Sequence, residues 1–244
     1  MQTIIRHGMR LSVVIPAYNE AIRLPPTLER VCSYLQERFP EDGGFEVIVV
    51  DDGSRDATAA VAEAWEHPAV RVLKMGENRG KGAALRCGVL ASSGERVLLC
   101  DADLSTPIED LESLERHADR AEVVLGSRST TGSNVTRRQP IYREMMGKTF
   151  NLLIRTLGMT ALRDTQCGFK LLQGKAAREL FEELTVERFA FDVELVLLAG
   201  DRGLGIAEVG VRWENSPSSR VDPFTDSLGM FWDVLRLRLR RRRR

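Results

Sequence analysis

The chain has 244 residues, of which 43% are hydrophobic and 29% are charged. This length and apolar content suit one large globular domain and exclude a disordered or collagen-like chain. No apolar run approaches the roughly 18 residues that a membrane-spanning helix needs. Because no signal peptide follows Met1, we expect a cytoplasmic protein.

The formal net charge is zero, but the charges are unevenly distributed. Seven of the 35 Lys and Arg residues lie among the last nine residues, which leaves an excess of seven acidic side chains in the rest of the chain. A terminal block of like charge is typical of a solvated tail or of a tail attracted to phosphate-rich partners. The four Cys and three His lie far apart, without C-x-x-C or H-E-x-x-H patterns, so neither a disulfide framework nor a zinc site is predicted.

Short β-branched segments alternate with helical patterns through the first half of the chain, which indicates βαβ units and a mostly parallel sheet. Strands are predicted at 11–15, 45–50, 70–74, 96–100 and 122–125, with helices after Pro25-Pro26, Ser54 and Thr106-Pro107. Residues 127–139 lack an apolar pattern and are predicted to form a long loop. Further helices are predicted at 141–157, 175–184 and 191–202, followed by a last strand at 206–213.

Polar motifs follow the first four predicted strands. They are PAYNE at 16–20, DDGS at 51–54, GENRGKG at 76–82 and DAD at 101–103. Because the carboxyl ends of parallel strands share one edge of a sheet, where ligands bind, these motifs predict a single cleft.

Asp101 and Asp103 are the candidate metal ligands. In an extended segment, side chains two residues apart point the same way. Two such carboxylates suit Mg²⁺ or Mn²⁺, which keeps positions open for phosphate oxygens. The alternative is a pair of solvated turn acids before Pro107. Likewise, the DDGS carboxylates can accept hydrogen bonds from a base or ribose, or simply shape a β-turn.

The glycine-rich segment 76–82 does not match a P-loop, since Gly76 and Gly80 are one residue too close and Gly82 replaces the required Ser or Thr. Its backbone and Lys81, at the start of a helix, can still approach phosphates. The turn after the first strand lacks G-x-G-x-x-G, which disfavours a dinucleotide site.

In this order, the four motifs resemble the family 2 glycosyltransferases, whose GT-A fold binds a nucleotide-sugar. The segments DTQCGFK at 164–170, FDVEL at 191–195, WE at 213–214 and SSR at 218–220 are similar to the branch that glycosylates polyprenyl phosphates. That branch includes the dolichyl-phosphate β-glucosyltransferases and the dolichyl-phosphate mannose synthases. The resemblance implies an α/β fold with a single GT-A domain at 1–222, built on a mostly parallel central sheet flanked by helices.

The resemblance also implies roles for individual residues. Those expected to bind the nucleotide-sugar are Pro16, Tyr18, Glu20, Val50, Asp52, Lys81, Asp101, Ala102, Asp103, Arg128 and Gln166. Among them, Val50 and Asp52 read the base, while Asp101 and Asp103 hold the metal. Asp101 and Asp103 also count as catalytic residues, together with Asp164, which lies by the sugar in the family.

The expected reaction is an inverting transfer of a hexose, most directly glucose from UDP-glucose, to a polyprenyl or dolichyl phosphate. Such a phosphate is largely dianionic at pH 7, because its second pKa is about 6, and it needs no strong general base. The candidates for holding it are Arg128, Arg137, Arg138, Arg143 and Arg220, each of which can instead be an ordinary surface residue. The alternatives are a GDP-mannose donor or a soluble acceptor. Nucleic acid is not an expected partner, because the chain without its tail is net acidic.

The C-terminal residues 223–244 are predicted to form an amphipathic helix with an Arg-rich end. The apolar residues of its predicted stripe recur at helical spacing, at Phe224, Leu228, Phe231, Leu235 and Leu239. We expect the Arg run to hold the enzyme peripherally on the anionic cytoplasmic face of a membrane. In the alternative, the helix packs on the domain and its basic end is solvated. The sequence leaves the oligomeric state open.

Overall fold

A computed structural model describes residues 8–40, 44–137, 141–157, 159–215 and 225–241. A seven-stranded sheet with the order β3-β2-β1-β4-β7-β5-β8 forms its centre, and β6 and β9 form a separate pair. The strands are β1 Leu11–Ala17, β2 Phe45–Asp51, β3 Val70–Lys74, β4 Arg96–Leu99, β5 Val123–Ser127, β6 Asn134–Arg137, β7 Lys170–Gln173, β8 Ile206–Gly210 and β9 Arg212–Glu214.

Helices cover both faces of this sheet. They are α1 Leu24–Arg38, α2 Thr58–Glu63, α3 Lys81–Ala91, α4 Leu111–Glu115, α5 Ile141–Thr156, α6 Gly174–Glu183, α7 Phe191–Asp201 and α8 Thr225–Arg241. A 3-10 turn, Ile108–Asp110, precedes α4. The predicted α/β architecture with a mostly parallel sheet is therefore confirmed.

Alternating residues of the strands pack into two apolar layers, one on each face of the sheet. Val13 of β1 packs in the layer that contains Leu28 of α1, whereas the adjacent Val14 packs with Leu85 of α3 and Leu195 of α7. Strands covered on both faces are apolar along their whole length. That requirement explains why β1, β2 and β5 could be recognised as short, almost uninterrupted apolar segments.

Strand register brings the polar motifs to one edge. β1 pairs in parallel with β2 so that Ala17 lies opposite Asp51, and with β4, which ends just before Cys100 and Asp101. The chain therefore leaves these strands on the same side, as expected for the cleft of an open parallel sheet.

Two strands were not predicted, and one predicted strand is divided. β7 runs antiparallel to both β4 and β5, and it begins with the charged Lys170. The expected loop 127–139 contains β6, which pairs with β9, so the predicted strand 206–213 is split between two sheets. Segments of three or four residues have no periodicity of their own, and only their partners make them strands.

The C-terminal helix α8 spans Thr225–Arg241, and its buried face differs from the predicted stripe. Met230, Val234 and Leu237 are buried, and the last two share an apolar cluster with Ile154 of α5 and Val193 of α7. From the predicted stripe, Phe231 and Leu239 are instead 39% and 56% exposed. Phe224 lies outside the described residues, and the side chain of Leu228 is not described. In the part of the chain that the structure describes, no helix combines the length and the apolar character needed to cross a membrane.

Candidate functional site

A Lys–Asp ion pair lies at the edge of the sheet where the polar motifs meet. Lys81 begins α3, and its Nζ lies 2.6 Å from Oδ1 of Asp101 at the end of β4. Burial favours a lower pKa for Lys81, but Asp101 and Asp192 outweigh it and raise the pKa to about 12. Lys81 is thus a permanent cation at a helix N-terminus, where backbone N–H groups also favour anions.

Asp52 fixes the glycine-rich segment that carries Lys81. Its Oδ1 accepts a hydrogen bond from the backbone N–H of Arg79 at 2.8 Å, and its Oδ2 accepts from Gly80 N at 2.8 Å and Asn78 Nδ2 at 3.0 Å. Gly80 has a φ of +113°, a conformation that favours glycine. The carboxylate is nearly inaccessible and largely committed to this turn, and its base-reading role stays a prediction.

Asp103 and Glu20 share a cation that the sequence did not point out. Arg23 forms an ion pair with Glu20, and its Nη1 lies 3.5 Å from Oδ2 of Asp103. Asp103 also accepts a hydrogen bond from Ser105 N at 3.0 Å. In the sequence, only the spacing of three residues between Glu20 and Arg23 could have indicated this ion pair. That spacing is common among surface residues and is not specific.

The two acids of the DAD motif have different electrostatic surroundings. Burial would raise the pKa of Asp101, but Lys81 and other nearby cations lower it. For Asp103, burial and the charge of Asp101 raise the pKa. Asp103 is therefore the carboxylate whose negative charge is less well compensated by the surrounding protein.

The acid pair fits a shared divalent cation. Among the described residues, no three His, Cys, Asp or Glu side chains converge into a complete metal site. Asp101 and Asp103 supply two hard oxygen ligands on one edge, however, and Mg²⁺ is commonly held by one or two carboxylates together with substrate phosphates. The site is suited to an ion that arrives with an anionic substrate.

Gly168 lies directly against the carboxylate of Asp101. A Cβ on Gly168 would collide with the Asp101 carboxylate. Gly168 lies in the DTQCGFK motif, close to the start of β7, so this unpredicted antiparallel strand brings the motif against the DAD acids. The motif was visible in the sequence, but this contact was not.

Arg128 and Asp164 form an ion pair in which Asp164 is buried and Arg128 is partly exposed. Nε and Nη2 of Arg128 donate to the Asp164 carboxylate at 2.7 and 2.9 Å, and the Arg128 backbone N–H donates at 3.0 Å. Asp164 also accepts from Gln166 N at 3.1 Å. Burial would raise the pKa of Asp164, but Arg128 lowers it to about 2. Asp164 is a permanent anion whose oxygens are directed at Arg128.

The remaining predicted residues occupy diverse positions. Pro16 and Tyr18 are partly buried at the end of β1, and Ala102 is buried, with its carbonyl accepting from Thr27 Oγ1 at 2.8 Å. The Val50 side chain is completely buried in the core, so the structure does not bring it to the cleft. Gln166 reaches α8, where Nε2 lies 3.9 Å from Sδ of Met230.

Most of the predicted acceptor-binding arginines cannot be placed. Arg138 and Arg220 lie outside the described residues, and the side chains of Arg137 and Arg143 are not described. Their role stays a prediction.

Replacing Gly168 by Ala should displace Asp101. The new methyl group has no space beside the carboxylate, and overpacking of this kind costs about 1–3 kcal/mol. Gly200→Ala in α7 is the matched control, because nothing lies within 4 Å of its added Cβ. Urea unfolding should show a loss of stability for Gly168→Ala and none for the control. Equal stability of the two variants would contradict the close contact.

The negative charge of Asp164 should stabilise the folded protein at neutral pH but not in strong acid. Its folded pKa of about 2 lies below the usual value of about 3.9. The stabilisation is therefore complete above about pH 5 and is lost as the pH falls through 2. Unfolding measurements across this range should show the stability gap between wild type and Asp164→Asn narrowing by about 2 kcal/mol. If the difference in unfolding free energy between wild type and Asp164→Asn does not depend on pH, the charge of Asp164 contributes nothing to stability.

Comparisons with known proteins show the family of this chain. The sequence profile of the family described as "Glycosyl transferase family 2" matches residues 12–181. The chain is 39% identical to a dolichyl-phosphate beta-glucosyltransferase of Dictyostelium discoideum, over 94% of this chain and 74% of the relative. It is 40% identical to the human protein of the same name, over 95% of this chain and 75% of the relative.

Solved structures share the fold. Mannosyl-3-phosphoglycerate synthase from Rubrobacter xylanophilus has a TM-score of 0.70 at 23% identity, covering 97% of this chain and 74% of that chain. Glucosyl-3-phosphoglycerate synthase from Mycobacterium tuberculosis, in complex with Mn²⁺ and UDP-glucose, has a TM-score of 0.67 at 20% identity, covering 95% and 79%. The family profile and the dolichyl-phosphate relatives go further than the fold: this chain belongs to glycosyl transferase family 2.

Proposed function

We propose that the protein transfers glucose from UDP-glucose to a polyprenyl phosphate such as dolichyl phosphate, with inversion at the anomeric carbon. The observation that carries this proposal is the pair of fixed cations at the carboxyl edge of the sheet: Lys81 is held by Asp101, close to Asp103 in the chain, and Arg128 is held by Asp164. The choice of sugar and acceptor follows the relatives named dolichyl-phosphate beta-glucosyltransferases, which match almost the whole chain.

The fixed cations suit a reaction between two anions. A nucleoside diphosphate departs with increasing negative charge, while a phosphate acceptor brings a negative charge of its own. Lys81 and Arg128 are held by Asp101 and Asp164 before any substrate binds. Donors fixed in advance stabilise developing charge without reorganising at the moment of reaction. We assign Lys81 to the diphosphate and Arg128 to the anionic groups near the sugar.

Asp101 and Asp103 would hold Mg²⁺ or Mn²⁺, with Asp103 as the firmer ligand. Such an ion, when bound, neutralises negative charge on the diphosphate. The fold neighbour from Mycobacterium tuberculosis was solved with Mn²⁺ and UDP-glucose, which supports the same ion class here. The surrounding residues lower the pKa of Asp101 and raise that of Asp103. Lys81 also holds Asp101 in place.

The acceptor needs positioning more than deprotonation. A phosphate monoester with a second pKa of about 6 is already mostly dianionic at neutral pH. Asp164 is not arranged as a general base, because its pKa is low and both oxygens accept hydrogen bonds. We therefore propose that Asp164 contributes through Arg128, which is the group able to contact an anionic substrate.

A donor comparison tests the proposed reaction. Purified protein with Mn²⁺ and a short polyprenyl phosphate is supplied in turn with UDP-glucose, GDP-mannose and UDP-N-acetylglucosamine, and products are identified by mass. We expect a hexosyl phospholipid from UDP-glucose at a rate at least tenfold above the others. A faster reaction with GDP-mannose, or transfer to a soluble phosphate only, would replace the proposed substrates.

Asp103→Asn tests the metal assignment. The variant keeps the size of the side chain but removes the charge that a hard cation requires. We expect at least a hundredfold loss of transfer and weaker Mn²⁺ binding in the presence of UDP, measured by electron paramagnetic resonance. Asp119→Asn, an 86% exposed acid paired with Arg96 at the start of β4, should retain both. Full activity of Asp103→Asn, or of the wild type in excess EDTA, would exclude the metal role.

We propose that α8 also holds the enzyme on an anionic membrane surface. Its inward face packs on the domain, while Trp232 and Leu239 are 59% and 56% exposed. The side chain of Arg236 is 72% exposed on the same helix, and the Arg run follows directly in the sequence. Outward apolar and basic groups on one helix are typical of peripheral attachment.

A variant that ends at Leu239 tests this attachment. Each basic residue near an anionic surface contributes about 1 kcal/mol, so loss of the last five Arg should abolish sedimentation with anionic vesicles. The variant should stay folded and keep its activity on a short acceptor in detergent. Equal sedimentation of both proteins at low salt, or equal capture of the full chain by neutral vesicles, would contradict electrostatic attachment.

A further inference from the structure

We infer that Glu208, on the edge strand β8, is a positioning residue for the transfer reaction, because it binds the backbone at Asp164 and the side chain of Ser127, the residue before Arg128. This inference rests on the proposed function, in which Arg128 contacts an anionic substrate. No motif in the sequence pointed to Glu208.

One carboxylate joins two separate segments. Oε1 of Glu208 accepts hydrogen bonds from Asp164 N at 2.8 Å and from Ser127 Oγ at 2.7 Å. Oε2 accepts from Arg163 N at 3.0 Å. Ser127 immediately precedes Arg128, and its Oγ also accepts from Ser129 N at 3.2 Å. Glu208 therefore sets the separation between the chain that carries Arg128 and the chain that carries Asp164.

Parallel pairing of β8 with β5 gives Glu208 this reach. Leu125 of β5 lies opposite Glu208 in the register, so the carboxylate has to reach only two residues further along β5, to Ser127 at the end of that strand. The three hydrogen bonds to Glu208 tie this edge strand to the segments that carry Arg128 and Asp164.

Trp213 confines the guanidinium from another direction. The Cζ atom of Arg128 lies 5.5 Å from the centre of a Trp213 ring, a distance suited to a cation–π interaction. β9 holds Trp213 opposite Val135 of β6, and Glu214 N donates to Ser105 O at 2.8 Å. Within the described residues, Nη1 of Arg128 donates no hydrogen bond, so this nitrogen is available to a ligand.

Glu46 provides a matched comparison. It also accepts several hydrogen bonds, from Ser12 Oγ at 2.6 Å and from Ser93 N at 2.7 Å. It lies at the start of β2, however, at the opposite edge of the sheet from Asp101. Loss of either carboxylate should affect folding stability, but only Glu208 connects to Arg128.

A double-mutant cycle tests the connection. In Glu208→Gln, an amide NH₂ faces a backbone N–H that previously had an acceptor. We expect kcat with UDP-glucose and a short polyprenyl phosphate to fall at least tenfold in the wild-type background. In an Arg128→Met background the same substitution should change kcat less than twofold, because effects that act through one group are not additive. Glu46→Gln should change kcat by the same small factor in both backgrounds.

A substrate-free measurement separates this inference from the proposed function. In ¹⁵N-edited NMR spectra, the Nε–H signal that disappears in Arg128→Met should exchange slowly in wild type and in Glu46→Gln, and rapidly in Glu208→Gln. An unchanged signal, or an equal loss of kcat in both backgrounds, would overturn the positioning role. Wild type that is inactive on UDP-glucose would overturn the proposed function, while the NMR signal would still decide the role of Glu208.

Discussion

Lys81 lies 2.6 Å from Asp101, and a short distance along the same network Lys170 lies 2.5 Å from Asp192. Lys170 and Asp192 are almost completely out of water, where removal of one partner of an ion pair costs about 3–5 kcal/mol, whereas Lys81 and Asp101 are partly exposed. Each cation must therefore be matched by a carboxylate held at a fixed position. The arrangement of loops, of the antiparallel strand β7 and of the first turn of α7 follows from that requirement.

The same requirement prepares the edge for anionic substrates. Because Lys81 and Arg128 are fixed by Asp101 and Asp164, their side chains do not need to reorient when a diphosphate binds. Asp103 differs, since burial and its neighbour Asp101 raise its pKa. The region therefore combines fixed cations with one under-compensated carboxylate, a combination suited to a substrate that carries a divalent ion.

The C-terminal helix connects this chemistry to the surface of the molecule. Met230 approaches Gln166 of the site, and Val234 packs with residues of α5 and α7. Arg240 near the end of the helix donates to Thr185 Oγ1 at 3.0 Å. One face thus belongs to the domain, while large apolar side chains remain on the other. A helix with two apolar faces can be both part of the fold and an attachment surface.

The sequence by itself determined the βαβ units of the first half of the chain, the position of the polar motifs after their strands and the family. Apolar segments long enough to span a buried sheet, and acids placed directly after them, are local patterns. Tertiary structure alone decided that Asp52 holds a glycine-rich turn, that Gly168 lies against Asp101, and that Asp164 is the partner of Arg128. It also decided which apolar face of α8 is buried. These features depend on residues far apart in the chain, and the pairing of buried charges and the filling of space have no periodicity along it.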